Sequence, residues 1–196
     1  FVKRNPQAMP DTDFGTTLLA LARAAIAHRL GRGPAPVVPD DPRVHAKGAT
    51  FITLARDGEL RGCIGSLRRS RELGEDVIHN ALSAAFEDSR FAPLAAEELD
   101  AVTIEVSILS EPEFLDFFGE EELLAQLRPG EDGLILFSGC HSATFLPQVW
   151  EQLPEPRQFL AALKHKAGLP TNREVVELMA ARYHVEKFKE TEREPS

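Results

Sequence analysis

The chain has 196 residues, of which 43% are hydrophobic and 27% charged, with a formal net charge of −9. That length and apolar content suffice for a real core, which excludes the collagen, coiled-coil and disordered classes. The acidic balance speaks against a nucleic-acid-binding domain, because neutralising phosphates requires a basic face.

Residues 1–13 lack the basic-then-apolar layout of a secretory signal and are expected to form a flexible N-terminal segment. From Phe14 to Leu30, residues Leu18, Leu19, Leu21, Ala22, Ala25 and Ile26 recur at helical spacing until Gly31 and Gly33 stop the run. Pro34, Pro36, Pro39 and Pro42 remove backbone donors from Arg32–Lys47, predicting an extended surface loop. Ala49–Ala55 and Glu59–Ile64 are β-prone runs joined by Asp57-Gly58, which predicts a hairpin whose second strand carries Cys63. Ser70 is placed to cap a helix over Arg71–Phe86, with Leu73, Val77, Ile78, Ala81, Leu82 and Ala85 as its buried stripe.

Val102–Leu109 alternates strictly, with Val102, Ile104, Val106 and Ile108 on one face and Thr103, Glu105 and Ser107 on the other. A short helix is expected over Glu120–Leu127, then a turn at Pro129–Asp132, a strand over Gly133–Phe137 and a polar loop from Ser138 to Ser142. Pro156–Ala167 carries Phe159, Leu160 and Leu163 on one side and ends at Gly168 before Pro170, the order of signals that closes a helix. A further helix is expected over Glu174–Ala181, a last strand over Tyr183–Phe188 and a disordered tail over 189–196. Helices and a hairpin in irregular alternation predict an α+β domain, residues 14–188, with a mixed and largely antiparallel sheet.

No apolar run reaches the roughly twenty residues of a membrane span, so no membrane partner and a cytoplasmic location are expected. The two cysteines, Cys63 and Cys140, do not make a disulfide framework and are read as reduced thiols. The six histidines show no ligand spacing, and neither a phosphate loop nor a nucleophile elbow occurs, so no metal and no cofactor are expected.

The segment Leu60-Arg61-Gly62-Cys63-Ile64-Gly65 is the candidate site. Glycines beside a cysteine permit close backbone approach, and arginines nearby favour a thiolate; Arg61, Arg68, Arg69 and Arg71 form a local basic group in an acidic chain. The competing expectation is a small core cysteine on a strand, with Gly62 and Gly65 serving a bulge or bend. Glu105, on the polar side of its strand, is a candidate general base or partner of Arg61. His141 is a candidate base from the polar loop. Asp88 and Arg90 read first as an ion pair closing the helix after the site.

Together with Gly48–Leu54, Glu87–Leu94, Ile104–Ser110, Gly133–Ile135, Phe145–Trp150 and Lys166–Leu169, this segment resembles the signature of the AMMECR domain family, in order and over nearly the whole chain. The resemblance implies a two-lobed α+β fold with a smaller second lobe, and it makes Arg61, Gly62, Cys63 and Gly65 the primary site residues. It also implies kinship with the A component of the AmmeMemoRadiSam system, hence Memo-like and radical SAM proteins as partners. The chain lacks the cysteine spacing of a radical SAM cluster. Two readings follow. One is a binding or accessory protein with a cleft at this segment for an unknown small-molecule ligand. The other is an enzyme with Cys63 as nucleophile, His141 or Glu105 as base, and Arg61, Gly62, Gly65 and Arg90 holding an anionic substrate.

Overall fold

Hydrophobic side chains spaced three and four apart on two helices, and two apart on strands, sort the first half of the chain into one layered unit. The computed structural model describes residues 12–191 and divides into two compact units, Phe1–Leu109 with Glu186–Ser196, and Ser110–Val185. The first contains α1 (Thr12–Arg29), α2 (Pro42–His45), β1 (Lys47–Gly48), β2 (Thr50–Arg56), β3 (Glu59–Gly65), β4 (Arg71–Glu72), α3 (Leu73–Phe86) and β5 (Val102–Leu109), and is joined by β10 (Val185–Lys189). The second contains β6 (Glu113–Phe114), α4 (Gly119–Gln126), β7 (Gly133–Ser138), β8 (His141–Phe145), α5 (Pro156–Lys166) and β9 (Met179–Tyr183). The class is α+β, and every pairing within the β2, β3 and β5 set is antiparallel.

In the first unit the sheet order is β10-β5-β2-β3, which leaves β3 at an edge. Ile52, Leu54, Ile104 and Val106 are buried together with Leu18, Ala22 and Ile26 of α1 and Val77, Ala81 and Ala84 of α3. The other face of the same strands is only half-buried, as the alternating burial of β2 shows. The hairpin turn is the expected one, with Asp57 and Gly58 both at positive φ (53° and 78°) as two-residue turns between twisted strands require.

In the second unit the order is β6-β9-β7-β8. Leu134, Leu136 and Ala180 pack with Leu123, Trp150, Phe159, Leu160 and Leu163. The Trp150 and Phe159 rings stack 3.7 Å apart, and the Trp150 indole N–H donates to the Asp132 carbonyl at 2.8 Å. Trp150 is therefore a core residue.

Several sequence expectations are corrected. Ser70 does not cap α3: extended pairing of Arg71 and Glu72 with Gly48 and Lys47 pushes the helix start to Leu73, and the Ala46 carbonyl accepts the Leu73 N–H at 2.8 Å. The loop over Arg32–Lys47 contains a helical turn, with Pro42 in its first turn and the Asp41 side chain accepting the Arg43 N–H. Ser138–Ser142 is a tight hairpin and not a loop, since Ser138 pairs with His141. The helix expected over Glu174–Ala181 is absent. Met179–Tyr183 is instead a strand between β6 and β7, where ladder pairing overrides the helical preference of alanine and methionine. The last strand breaks at His184, where the chain leaves one sheet for the other; Ser110 and His184 hold the break by bonds of 2.9 and 2.8 Å.

Of the segments expected to be loose, residues 1–11 and 192–196 lie outside the described residues. Helix α1 already begins at Thr12, and Glu190 is held by Arg23 through two contacts of 2.5 and 2.6 Å. No helix among the described residues is long and apolar enough to cross a membrane.

Candidate functional site

Three segments distant in sequence converge on β3. Cys63 pairs with Thr53 of β2, and its own N–H and C=O point to the free edge of the sheet. Both are met there by side chains: Asp88 Oδ2 accepts the Cys63 N–H at 2.9 Å, and an Arg90 guanidinium N–H donates to the Cys63 carbonyl at 3.3 Å. The Asp88 carboxylate and Arg90 guanidinium thus imitate the acceptor and donor of a neighbouring strand. This protects an edge that would otherwise invite strand pairing.

Asp88 and Arg90 are paired with each other, with contacts of 2.7 and 2.9 Å. The Asp88 side chain is buried while Arg90 reaches solvent. The Arg90 guanidinium, then the N–H groups of Cys63 and Arg90, hold the Asp88 carboxyl well below the usual carboxylate range; Asp88 in turn raises Arg90. The sequence reading of this pair as a helix-end clamp is incomplete, because what it clamps is the backbone of Cys63.

Arg61 is committed too. Its Nε and Nη2 donate to the two carboxylate oxygens of Glu98, each at 2.9 Å, a fork geometry that fixes both side chains. Glu98 also accepts the Ala95 N–H at 2.9 Å. These bonds, that of Arg61 first, hold its carboxyl down at about 2, and Glu98 raises Arg61. The Phe91 ring lies beside both guanidinium groups, 5.9 Å from Arg61 and 5.5 Å from Arg90. Arg61 is therefore not a partner of Glu105, a pairing the sequence suggested; Glu105 instead lies 3.7 Å from Lys187.

The glycines are explained by packing. A Cβ on Gly62 would lie 2.2 Å from the Ala84 carbonyl oxygen of α3, so the strand can touch the helix backbone only without a side chain. A Cβ on Gly65 would lie 2.2 Å from the ring of Phe51, its cross-strand partner. Just beyond, Ser66, Thr50, Asp76 and Asn80 form a buried knot. Asp76 accepts the Thr50 N–H, the Thr50 hydroxyl and the Ser66 hydroxyl, each at 2.9 Å, and Asn80 donates to the Thr50 carbonyl at 3.0 Å. These residues pin the ends of both strands to α3.

On the half-buried face the register aligns Cys63, Thr53 and Glu105 in one row across β3, β2 and β5. The Thr53 hydroxyl donates to Cys63 Sγ at 3.3 Å. Cys63 and Glu105 are two strand spacings apart, about 10 Å, so the sulfur has a hydroxyl rather than a carboxylate as its neighbour. His141 belongs to the second unit, on β8, where its ring N–H donates to the Ala167 carbonyl at 3.1 Å. Both cysteines are free; Cys63 is half-buried and Cys140 exposed. Of the local arginine group, Arg69 donates to the Lys47 and Leu109 carbonyls and Arg71 to Asp76.

Sequence reasoning missed Thr53, Glu98 and the role of Asp88. Thr53 was legible as the residue opposite Cys63 once the two-residue turn fixed the hairpin register. Glu98 lies in a short 3-10 turn and carried no signal. Among the described residues, no group of three or more His, Cys, Asp or Glu side chains is placed to hold a metal ion.

Comparisons with known proteins converge. Residues 19–188 match the family model described as AMMECR1. Protein TV1384 of Thermoplasma volcanium is 41% identical over 160 residues, covering 80% of this chain and 79% of its own. Protein MJ0810 of Methanocaldococcus jannaschii is 37% identical over 183 residues, covering 91% and 90%. The crystal structure of PH0010 from Pyrococcus horikoshii matches with a TM-score of 0.79 at 34% identity, covering 91% of this chain and 92% of that one.

Proposed function

From the premise that this chain belongs to the AMMECR1 family, we propose that it is a binding or accessory protein whose Leu60–Gly65 segment presents a fixed recognition surface. The observation that carries this reading is the commitment of both nearby arginines and of the Cys63 backbone to internal partners. Arg61 is held by Glu98, Arg90 by Asp88, and the Cys63 backbone by both members of the second pair. Arginines that must bind an anionic substrate would first have to give up bidentate carboxylates, whereas a surface read by another molecule gains from groups locked in advance. The family resemblance suggests the partners, a Memo-like protein and a radical SAM protein, and an unknown small-molecule ligand is the other candidate occupant.

The test is titration calorimetry of the chain with a purified Memo-like protein and, separately, with a radical SAM protein of the same system. Cys63→Phe, on the half-buried face, blocks that face without touching the core. Binding that weakens at least tenfold in the variant supports the reading; equal affinity of variant and wild type refutes the surface, and no binding to either protein refutes the partners.

A second reading, a cysteine-dependent enzyme, draws on one observation. Thr53 donates a hydrogen bond to Cys63 Sγ, which gives the sulfur a polar partner on the half-buried face. In that reading Cys63 is the nucleophile, and Glu105, two strand spacings away beside Lys187, is too distant to take its proton through one water.

A further inference from the structure

The second unit carries a surface that the Cys63 face does not use. A cavity of about 210 Å³ is lined by Phe117, Phe118, Gly119, Glu120, Glu174, Val175, Glu177 and Leu178. Of the lining side chains Phe118 is 91% exposed, and Val176, the chain neighbour of Val175, is 85% exposed. An aromatic ring left this far in water on the wall of a cavity marks an interaction site.

The charge at that mouth selects the partner. Glu120 is neutralised from beneath by the buried Lys164, whose Nζ lies 2.6 Å from Glu120 Oε1 and also donates to the Arg173 carbonyl at 2.8 Å. Glu174 Oε1 accepts the Glu120 N–H at 3.4 Å. Glu174 and Glu177 are both exposed. The rim is thus anionic over an apolar wall, with no cation at its surface among the lining residues. A lysine or arginine side chain matches this arrangement, since its alkyl stem covers apolar surface while its head stays with carboxylates, and an aromatic ring adds attraction for the cation.

We infer that this cavity of the second unit docks a basic, apolar-flanked segment of a partner protein, with one Lys or Arg stem between Phe117, Phe118, Val175 and Leu178 and its head between Glu174 and Glu177. The inference is independent of the proposed role of the Leu60–Gly65 surface.

The probe is a fluorescein-labelled octapeptide of alternating leucine and lysine, with glutamine replacing lysine in a neutral control, titrated with the full chain and read by fluorescence anisotropy. The lysine peptide is expected to bind, to weaken as salt rises, and to lose about tenfold in affinity in Glu174→Gln/Glu177→Gln. Phe118→Ser is expected to lose a similar factor without altering the fold, because that ring is exposed. Glu75→Gln/Glu97→Gln has the same net charge as the first variant but changes exposed glutamates in the other unit, and is expected to bind as wild type does. Equal losses in the two double variants would show attraction to net charge alone and overturn the inference. So would equal binding of the neutral peptide, unchanged affinity in Phe118→Ser, or no binding by the wild type.

Discussion

Replacing Gly62 by alanine puts a methyl group 2.2 Å from the Ala84 carbonyl oxygen and 3.2 Å from its carbon. A carbon and a carbonyl oxygen approach to about 3.3 Å at best, so β3 and α3 must part by about 1 Å. Both atoms that would have to yield belong to backbone, of a paired strand and of a buried helix, so no side-chain rotation relieves the clash. Overpacking of this kind costs about 3 kcal/mol, the upper part of the usual range. In a chain of this size that lowers the melting temperature by about 6–12 °C. Gly65→Ala is the internal comparison: its added methyl also meets a neighbour at 2.2 Å, but that neighbour is the half-buried Phe51 ring, which can turn aside. About 1 kcal/mol is expected there. Thermal unfolding followed by far-UV circular dichroism reads the loss, while Trp150, the single tryptophan and part of the second unit's core, reports on that unit by its fluorescence. Gly62→Ala as stable as wild type, or less costly than Gly65→Ala, would refute the packing account of the motif's glycines.

Three further expectations follow from the same geometry. Tyr183 is the only tyrosine; burial pushes its hydroxyl up to about 12, so absorbance at alkaline pH should show ionisation near that value, and ionisation near 10 would contradict its burial against Thr144 and the Phe145 carbonyl. Glu98 has its carboxyl held at about 2 against an ordinary 4.5, so its contribution to stability is complete above about pH 4.5 and is lost as pH falls toward 2; the urea midpoint of Glu98→Gln should be lower at neutral pH and fall less steeply through that window, and an unchanged acid limb would count against the Arg61 pair. Lys164→Met strips the buried partner from Glu120 and should cost the second unit about 3 kcal/mol by Trp150 fluorescence, with most of it restored by adding Glu120→Leu; a full loss that the second change leaves in place would assign the cost to packing instead.

The elements that announced themselves in the sequence are those whose periodicity and end signals agree. Leu18 to Ile26 fix α1, the strict alternation after Val102 fixes β5, and Asp57-Gly58 fixes the hairpin that carries Cys63. The misread elements are those decided by pairing partners far away in the chain. Met179–Tyr183 contains helix formers yet is held between β6 and β7, and Arg71-Glu72 stay extended because Lys47-Gly48 lie opposite. The site followed the same division. Cys63, Gly62, Gly65 and Arg61 were visible as a motif, and Glu105 as the polar side of a strand. The pairing of Arg61 with Glu98 was not visible, because Glu98 lies 37 positions away in a turn without periodicity. Nor was the Asp88–Arg90 clamp on Cys63, since a carboxylate capping a strand edge has no sequence signature of its own.

The central claim, that Cys63 belongs to a fixed recognition surface and not to a nucleophilic centre, is tested most directly by the pH dependence of its alkylation in a Cys140→Ser background, with Thr53→Val alongside. The account predicts a reaction in the folded chain that is slower than that of a free thiol at every pH and that Thr53→Val leaves almost unchanged. A fast reaction already complete below pH 7, and slowed at least tenfold by Thr53→Val, would contradict it and establish an activated thiolate at this site.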